Sequence, residues 1–282
     1  MAYHPMQLAD AFIKAGELED ALDALDTALE NDPTDESAHR RRAGVLARLP
    51  GDDHRARALD DLRALSAPDA DDALLESRLA QENGDLNAAI AAVENALTRY
   101  PVDPRLTERL LGLLRVSGDT SRANAVLSTL PDDDWRWRAW AGDIAADNRN
   151  YAAAITAYTA AIDLIAAKYP LPTSTASVVL DAGVSDAAAL TVAGSVARLV
   201  LSRAHMYRQS GNLSAAGDEY AQAAIMLPDD PAIPFYQGII TALNGDTDAA
   251  VNLCRAALDA ASTVVADHLR DELASDARLD TV

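Results

Sequence analysis

Residues 15–33 read AGELEDALDALDTALENDP, residues 83–101 read NGDLNAAIAAVENALTRYP, and residues 210–228 read SGNLSAAGDEYAQAAIMLP. Each stretch opens at a glycine turn, continues with small and large apolar residues three and four positions apart, and closes at a proline. Those spacings place the apolar residues on one face of a helix, and proline cannot continue that helix. The three stretches therefore predict amphipathic helices of one design.

The turn recurs along the chain at intervals of about 34 residues, with one gap of about two periods. Its positions are Gly16-Glu17, Gly51-Asp52, Gly84-Asp85, Gly118-Asp119, Arg149-Asn150, Gly211-Asn212 and Gly245-Asp246. A small, a large and a small residue follow most turns, as in Ala21, Leu25 and Ala28; Ala89, Val93 and Ala96; Ala154, Tyr158 and Ala161; Ala216, Tyr220 and Ala223; and Ala250, Cys254 and Ala257. A second helical pattern precedes each turn, which predicts a repeated helix-turn-helix unit.

This pattern resembles the tetratricopeptide repeat family, which has a large-small pair and an aromatic residue on the first helix, then alanine, aromatic, alanine and proline on the second. The resemblance covers nearly the whole chain and is clearest in the units that begin near residues 2, 71, 197 and 231. The unit near residue 37 departs from it through a short insertion at the Gly51 turn. The resemblance implies an all-α, right-handed superhelical α-solenoid of about seven TPR-like repeats with a C-terminal capping helix.

Four segments are expected along this solenoid. Residues 1–169 hold about five repeats, and residues 170–185, rich in Pro, Ser and Thr, connect them to the rest. Residues 186–260 hold further repeats with an extended first helix, and residues 261–282 form the capping helix and tail.

The formal net charge of -20 argues against nucleic acid as a partner, because phosphate binding relies on clustered Lys and Arg. The most apolar stretch, Ala187 to Met206, is interrupted by Arg198 and Arg203, which argues against membrane insertion. One cysteine excludes an internal disulfide, and no signal peptide is visible at the start. We expect a cytoplasmic protein.

No phosphate loop, nucleophile elbow or zinc motif is found, so we expect no enzyme, no cofactor and no metal site. The five histidines are scattered along the chain at no metal-ligand spacing, and Cys254 occupies a core position. The aspartates between units are expected to cap helices. An enzyme remains an alternative only if a site lies in residues 170–195.

The resemblance also implies that first helices line a concave groove that holds peptide ligands. The inward positions that it implies here are Arg41, Arg48, Arg78, Arg105, Arg115, Arg136, Arg198, His205 and Arg208. A basic strip there suits an acidic peptide or a C-terminal carboxylate, and the alternative is that these arginines pair with the turn aspartates. The carboxylate clamp of some subfamilies is doubtful, because Lys14 is present but Asp10 stands where an asparagine is expected.

Trp135, Trp137 and Trp140 cannot all face one side of a helix, so they either anchor an interface or pack against the preceding unit. The leading hypothesis is a non-enzymatic scaffold that binds a protein or peptide in the groove. A self-assembling structural protein, and hence a homo-oligomer, is one alternative. An accessory or regulatory subunit of a separately encoded enzyme is another.

Overall fold

The computed structural model describes residues 4–169, 187–275 and 277–279, and it describes no side chain for residues 187–193, 275 and 277. The described residues form fifteen α-helices and no strand. In chain order the helices are α1 (Pro5–Ala15), α2 (Leu18–Asn31), α3 (Glu36–Leu46), α4 (Asp52–Arg63), α5 (Ala70–Glu82), α6 (Leu86–Leu97), α7 (Pro104–Ser117), α8 (Thr120–Leu127), α9 (Trp135–Asp147), α10 (Tyr151–Lys168), α11 (Ala187–Gln209), α12 (Leu213–Met226), α13 (Ala232–Leu243), α14 (Thr247–Ala260) and α15 (Thr263–Ser275). A short 3-10 helix, Ala277–Leu279, follows.

The chain divides into two compact units, which we call the N-terminal unit (Met1–Ala123) and the C-terminal unit (Asn124–Val282). The boundary falls within α8. The expected divisions near residues 170 and 186 lie outside the described residues and stay predictions. Helix α10 extends to Lys168, and the extended first helix predicted within residues 186–260 is present as α11.

Consecutive helices pack against one another from α1 to α7 and from α9 to α15, so that first helices inside these runs, such as α3 and α11, contact their own second helix and the one before it. The predicted small-large-small sets supply these contacts: Ala89, Val93 and Ala96 of α6 are at most 1 % exposed, and Ala216, Tyr220 and Ala223 of α12 are fully buried. Because each pair depends on its neighbours for a core, the described helices form an α-solenoid, as predicted.

Local chemistry sets the helix ends. Asp35 accepts hydrogen bonds from the backbone of Ser37 and Ala38, and Asp69 forms a capping box with Asp72. These bonds confirm the capping role predicted for turn aspartates. The α9–α10 turn has Arg149 with a φ of 57°, where the other turns have glycine, so an L side chain accepts the left-handed conformation there.

An ionic network lies inside the N-terminal unit. The Asp61 carboxylate of α4 is 2 % exposed and accepts hydrogen bonds from Nε and Nη2 of Arg42 on α3, at 2.8 and 2.7 Å. Arg42 also donates to Asp26 of α2 at 2.6 Å, and Nδ1 of His39 lies 2.7 Å from Asp61. Burial of the Asp61 carboxylate is tolerated because two side chains, Arg42 and His39, bind it.

The capping helix predicted within residues 261–282 is present as α15, which the 3-10 helix follows. Both contact α13, and α15 also contacts α14. None of the helices within the described ranges is both long and apolar enough to cross a bilayer.

Candidate partner-binding faces

Tyrosine side chains connect the core of the C-terminal unit to its first helices. Tyr158 of α10 packs on Gly142 of α9, where an added Cβ would lie 2.5 Å from the tyrosine ring. This close approach lets the Tyr158 hydroxyl donate to Asp143 at 2.7 Å. In the next repeat, the Tyr220 hydroxyl of α12 lies 3.1 Å from Nδ1 of His205 on α11. The second helices therefore bring polar atoms to the first-helix side.

In the N-terminal unit the first helices are α1, α3, α5 and α7, and arginines link each of them to a neighbour. Nε of Arg41 on α3 lies 3.0 Å from Asp10 on α1. Arg105 on α7 pairs with Asp71 on α5 at 2.5 Å and with Asp103 at 2.9 Å. These two predicted groove residues therefore pair with carboxylates, the alternative that the sequence left open.

Arg78 and Arg109 differ from those linking arginines. Arg109 on α7 donates from Nε to Oγ of Ser77 at 2.9 Å and from Nη2 to the Ser77 carbonyl at 3.1 Å. Burial, and then the nearby Arg78 charge, lower the pKa of Arg109 from its ordinary value. Arg78 pairs with Glu82 of its own helix, at 2.9 Å, and its side chain is 47 % exposed. Among the described residues, no carboxylate lies within ion-pair distance of Arg109, although Glu82 is near enough to oppose the lowering of its pKa and so partly offsets the two guanidinium charges.

Arg109 was not among the predicted groove residues, although its spacing from Arg105 was a signal for it. Arg105, which was predicted, and Arg109 are four positions apart on α7, and that spacing places two residues on the same helical face. Of the other residues predicted in this unit, Arg48 follows α3 and is exposed, and Arg115 of α7 is partly buried.

In the C-terminal unit the first helices are α9, α11, α13 and α15. Arg136 binds Asp134, the residue that caps α9, at 2.6 Å and lowers the pKa of that carboxyl. Arg198 of α11 is 53 % exposed and lies 3.8 Å from Asp143. These two predicted residues also lie beside aspartates.

The predicted groove residue Arg208 lies on the first helix α11, and its side chain is only 1 % exposed. Its Nη2 lies 2.6 Å from Oε1 of Glu272 on α15, and its guanidinium lies 5.7 Å from the centre of the Tyr236 ring. The cause is α15, which contributes Glu272 to this face. Burial of a guanidinium requires such a carboxylate, since an unpaired buried charge is costly.

His205 lies among aromatic rings in the same region. Its ring makes edge-to-face contacts with Tyr236 at 4.4 Å and with Tyr220 at 5.7 Å, and those two tyrosines stack at 5.4 Å. Burial lowers the pKa of His205 to about 4, so the ring is neutral at pH 7. The neutral His205 ring can therefore donate one hydrogen bond and accept one, but it adds no positive charge to the predicted basic strip.

A cleft of about 370 Å³ opens beside these groups. It is lined by Tyr158, Ser202, His205, Met206, Arg208, Gln209, Tyr236, His268 and Glu272. Polar and aromatic groups from α10, α11, α13 and α15 meet there.

The tryptophans and Cys254, the remaining candidate residues, are buried or partly buried between helices. Trp137 is 7 % exposed, and Trp135 packs against the core of the C-terminal unit. Cys254 is partly buried with its sulfur against Gly238, and burial raises the pKa of the thiol. Within the described residues, no three His, Cys, Asp or Glu side chains are grouped in a way that could hold a metal ion.

The family model of the tetratricopeptide repeat matches residues 6–73, 74–133 and 201–264, more than half of the chain. The chain belongs to the tetratricopeptide repeat family. This confirms the resemblance inferred from the repeated turns and the small-large-small sets. No match to a functionally curated protein was found.

Solved structures support the same fold. A tetratricopeptide repeat protein from Parabacteroides merdae is 14 % identical, with a TM-score of 0.58 over 95 % of this chain and 96 % of that one. The C-terminal part of a TPR repeat-containing protein from Cytophaga hutchinsonii is 14 % identical, with a TM-score of 0.62 over 95 % and 98 %. Human IFIT1, solved as a dimer with PPP-AAAA, is 17 % identical, with a TM-score of 0.51 over 91 % of this chain and 58 % of that one. At these identities the likeness concerns the fold alone.

Proposed function

We propose that this tetratricopeptide repeat protein is a non-enzymatic interaction scaffold. We further propose that the N-terminal unit binds an acidic peptide segment of a partner protein through Arg78 and Arg109. Tetratricopeptide repeats generally mediate protein-protein interaction, which supports the first part. The second part depends on one observation: two guanidinium groups lie close together on α5 and α7, and Ser77 rather than a carboxylate holds the Arg109 group.

A peptide carboxylate would complete this arrangement. Two of the donor groups of Arg109 are already directed at Ser77, so its orientation is set before a ligand arrives, and Arg78 can exchange Glu82 for a ligand at little cost. Guanidinium groups bind carboxylates through two parallel hydrogen bonds. The acidity of the rest of the chain would disfavour acidic ligands elsewhere and would also disfavour nucleic acids.

The test is a fluorescence anisotropy titration of the full chain with a labelled, Asp- and Glu-rich synthetic peptide. We expect Arg109→Glu to weaken binding at least about tenfold, because a hydrogen bond to a charged group contributes roughly 1.5 to 3 kcal/mol. Arg122→Glu is the matched control, since it makes the same charge change on α8, where Arg122 pairs with Glu94.

Equal losses in the two variants would mean that overall charge, and not this site, drives binding. Unchanged affinity in Arg109→Glu would exclude the site. Light scattering on the purified protein tests the alternative of self-assembly, which requires a defined mass above 29.9 kDa.

A further inference from the structure

Glu272 occupies a prepared carboxylate site in the C-terminal unit. Its Oε1 accepts a hydrogen bond from Arg208 at 2.6 Å, and its Oε2 accepts one from the Tyr236 hydroxyl at 2.6 Å. Both carboxylate oxygens are thus bound by donors from two different first helices, α11 and α13. Such two-point recognition is specific for a carboxylate.

The groups around this site hold the donors rigidly. Tyr236 stacks on Tyr220 with an interplanar angle of 16°, and His205 packs edge-on against both rings. The Arg208 guanidinium lies over the Tyr236 ring, and Arg278 donates to the Arg208 carbonyl at 2.8 Å. Because Arg208 is almost fully buried, the site strongly favours an occupant that carries a negative charge.

The occupant, α15, packs on the core through Leu269, with Leu273 and, after the helix, Leu279 partly buried against the same cluster. In the described part of α15, only Ala266 and Leu269 are buried apolar residues. Val264 is 81 % exposed and Val265 is 37 % exposed. A 13-residue helix is marginal in water without tertiary packing, so the Glu272 carboxylate is a principal anchor of α15.

There is also space next to the anchor. The cleft of about 370 Å³ adjoins Glu272 and is bounded on the α11 side by Ser202, Met206 and Gln209. A helix longer or bulkier than α15 could bury further side chains there while it keeps the carboxylate contact.

We propose that α15 is an internal, exchangeable ligand, and that an acidic amphipathic helix of a partner protein displaces it and places a Glu carboxylate between Arg208 and Tyr236. The partner helix carries an apolar residue three positions before that glutamate, as Leu269 precedes Glu272 in α15. This surface belongs to the C-terminal unit and is independent of the Arg78 and Arg109 site proposed above.

The experiment uses a fluorescein-labelled synthetic peptide of residues 261–279 and the full-length chain. In the wild type, tethered α15 competes at an effective concentration in the millimolar range, so the peptide binds weakly. Glu272→Gln in the protein removes the ion pair of the tethered helix, and we expect the peptide to bind at least about tenfold more tightly. This tighter binding should disappear when the peptide carries Gln in place of its glutamate. It should also disappear when Tyr236→Phe is added to Glu272→Gln in the protein.

Asp267→Asn is the matched control, because Asp267 is on α15, is 65 % exposed and pairs with Arg270 of the same helix. Its affinity for the peptide should equal that of the wild type. Equal peptide affinity for wild type, Glu272→Gln and Asp267→Asn would overturn the proposal, as would binding that ignores the glutamate of the peptide.

Hydrogen exchange of the wild-type chain provides a second measurement that needs no variant. Amides of α15 should exchange faster than those of α11 and α13, because α15 opens by itself. If α15 were protected as strongly as α13, it would be a fixed part of the fold and the proposal would fail.

Discussion

The contact between Tyr220 and His205 places a titratable ring inside an aromatic cluster, where burial changes its chemistry. The neutral ring stabilises the folded C-terminal unit only while it stays unprotonated. Since the pKa of His205 falls from 6.5 to about 4 on folding, the unfolded chain binds the proton more readily between those values. The contribution of the neutral His205 ring to the unfolding free energy is therefore fully present above about pH 6.5 and is lost as the pH falls toward 4.

We expect wild-type protein to lose about 1 to 3 kcal/mol more unfolding free energy between pH 7 and pH 4.5 than His205→Gln does, because Gln does not titrate. Urea denaturation at both pH values measures the difference. The four other histidines are common to both proteins and cancel in the comparison. Identical pH dependence in the two proteins would show that His205 titrates as it does in the unfolded chain.

Contacts between side chains that are far apart in the sequence could not be predicted from it. Arg208 and Glu272 are 64 positions apart, and no local spacing pairs them. The first-helix assignment of Arg208 was sound, but the prediction omitted the partner that α15 supplies. By contrast, the role of Tyr158 as the large core residue follows from its spacing to Ala154 and Ala161, because helical periodicity encodes packing directly.

At the scale of elements, the ionic network of the N-terminal unit connects three helices. Asp61 of α4 holds Arg42 of α3, which in turn holds Asp26 of α2. Arg57 of α4 also contacts Asp26, at 2.8 Å. Helix pairing here thus relies on buried charge as well as on alanine packing, and the repeat near residue 37 that departs most from the family pattern contains the network.

Asp61→Ala should destabilise the protein by about 3 to 5 kcal/mol, since it leaves the partly buried Arg42 without its main carboxylate. Asp60→Ala is the control: its side chain is 78 % exposed, and the change should cost less than about 0.5 kcal/mol. Thermal and urea denaturation followed by circular dichroism measure both. A loss below about 1 kcal/mol for Asp61→Ala would mean that Asp26 alone satisfies Arg42.

The elements were the most predictable part of the structure. Turn glycines, capping aspartates and closing prolines mark helix ends within the local sequence, so the helix pairs could be predicted from the sequence alone. The candidate faces were less predictable. Whether an arginine pairs with a neighbouring aspartate or stays available depends on the separation of adjacent helices, as Arg105 and Arg109 on the same helix demonstrate.

At the scale of the whole molecule, the net charge of -20 opposes compaction. Raising NaCl from about 0.02 M to about 0.5 M shortens the screening length severalfold and should raise the melting temperature by about 3 °C or more. The control is the same titration at pH 5, nearer the isoelectric point of about 4.4, where the increase should shrink. A fall in melting temperature with salt would show that attractive ion pairs outweigh the net repulsion.

The position of the tryptophans has a spectroscopic consequence. All three indoles of the chain lie on α9, at the start of the C-terminal unit. Emission excited at the red edge of the absorption band therefore reports on that unit, whereas far-ultraviolet circular dichroism averages over the helices of both. Superimposable melting curves from the two signals would indicate one cooperative transition, and separated curves would give the stability of each unit from a single unlabelled sample.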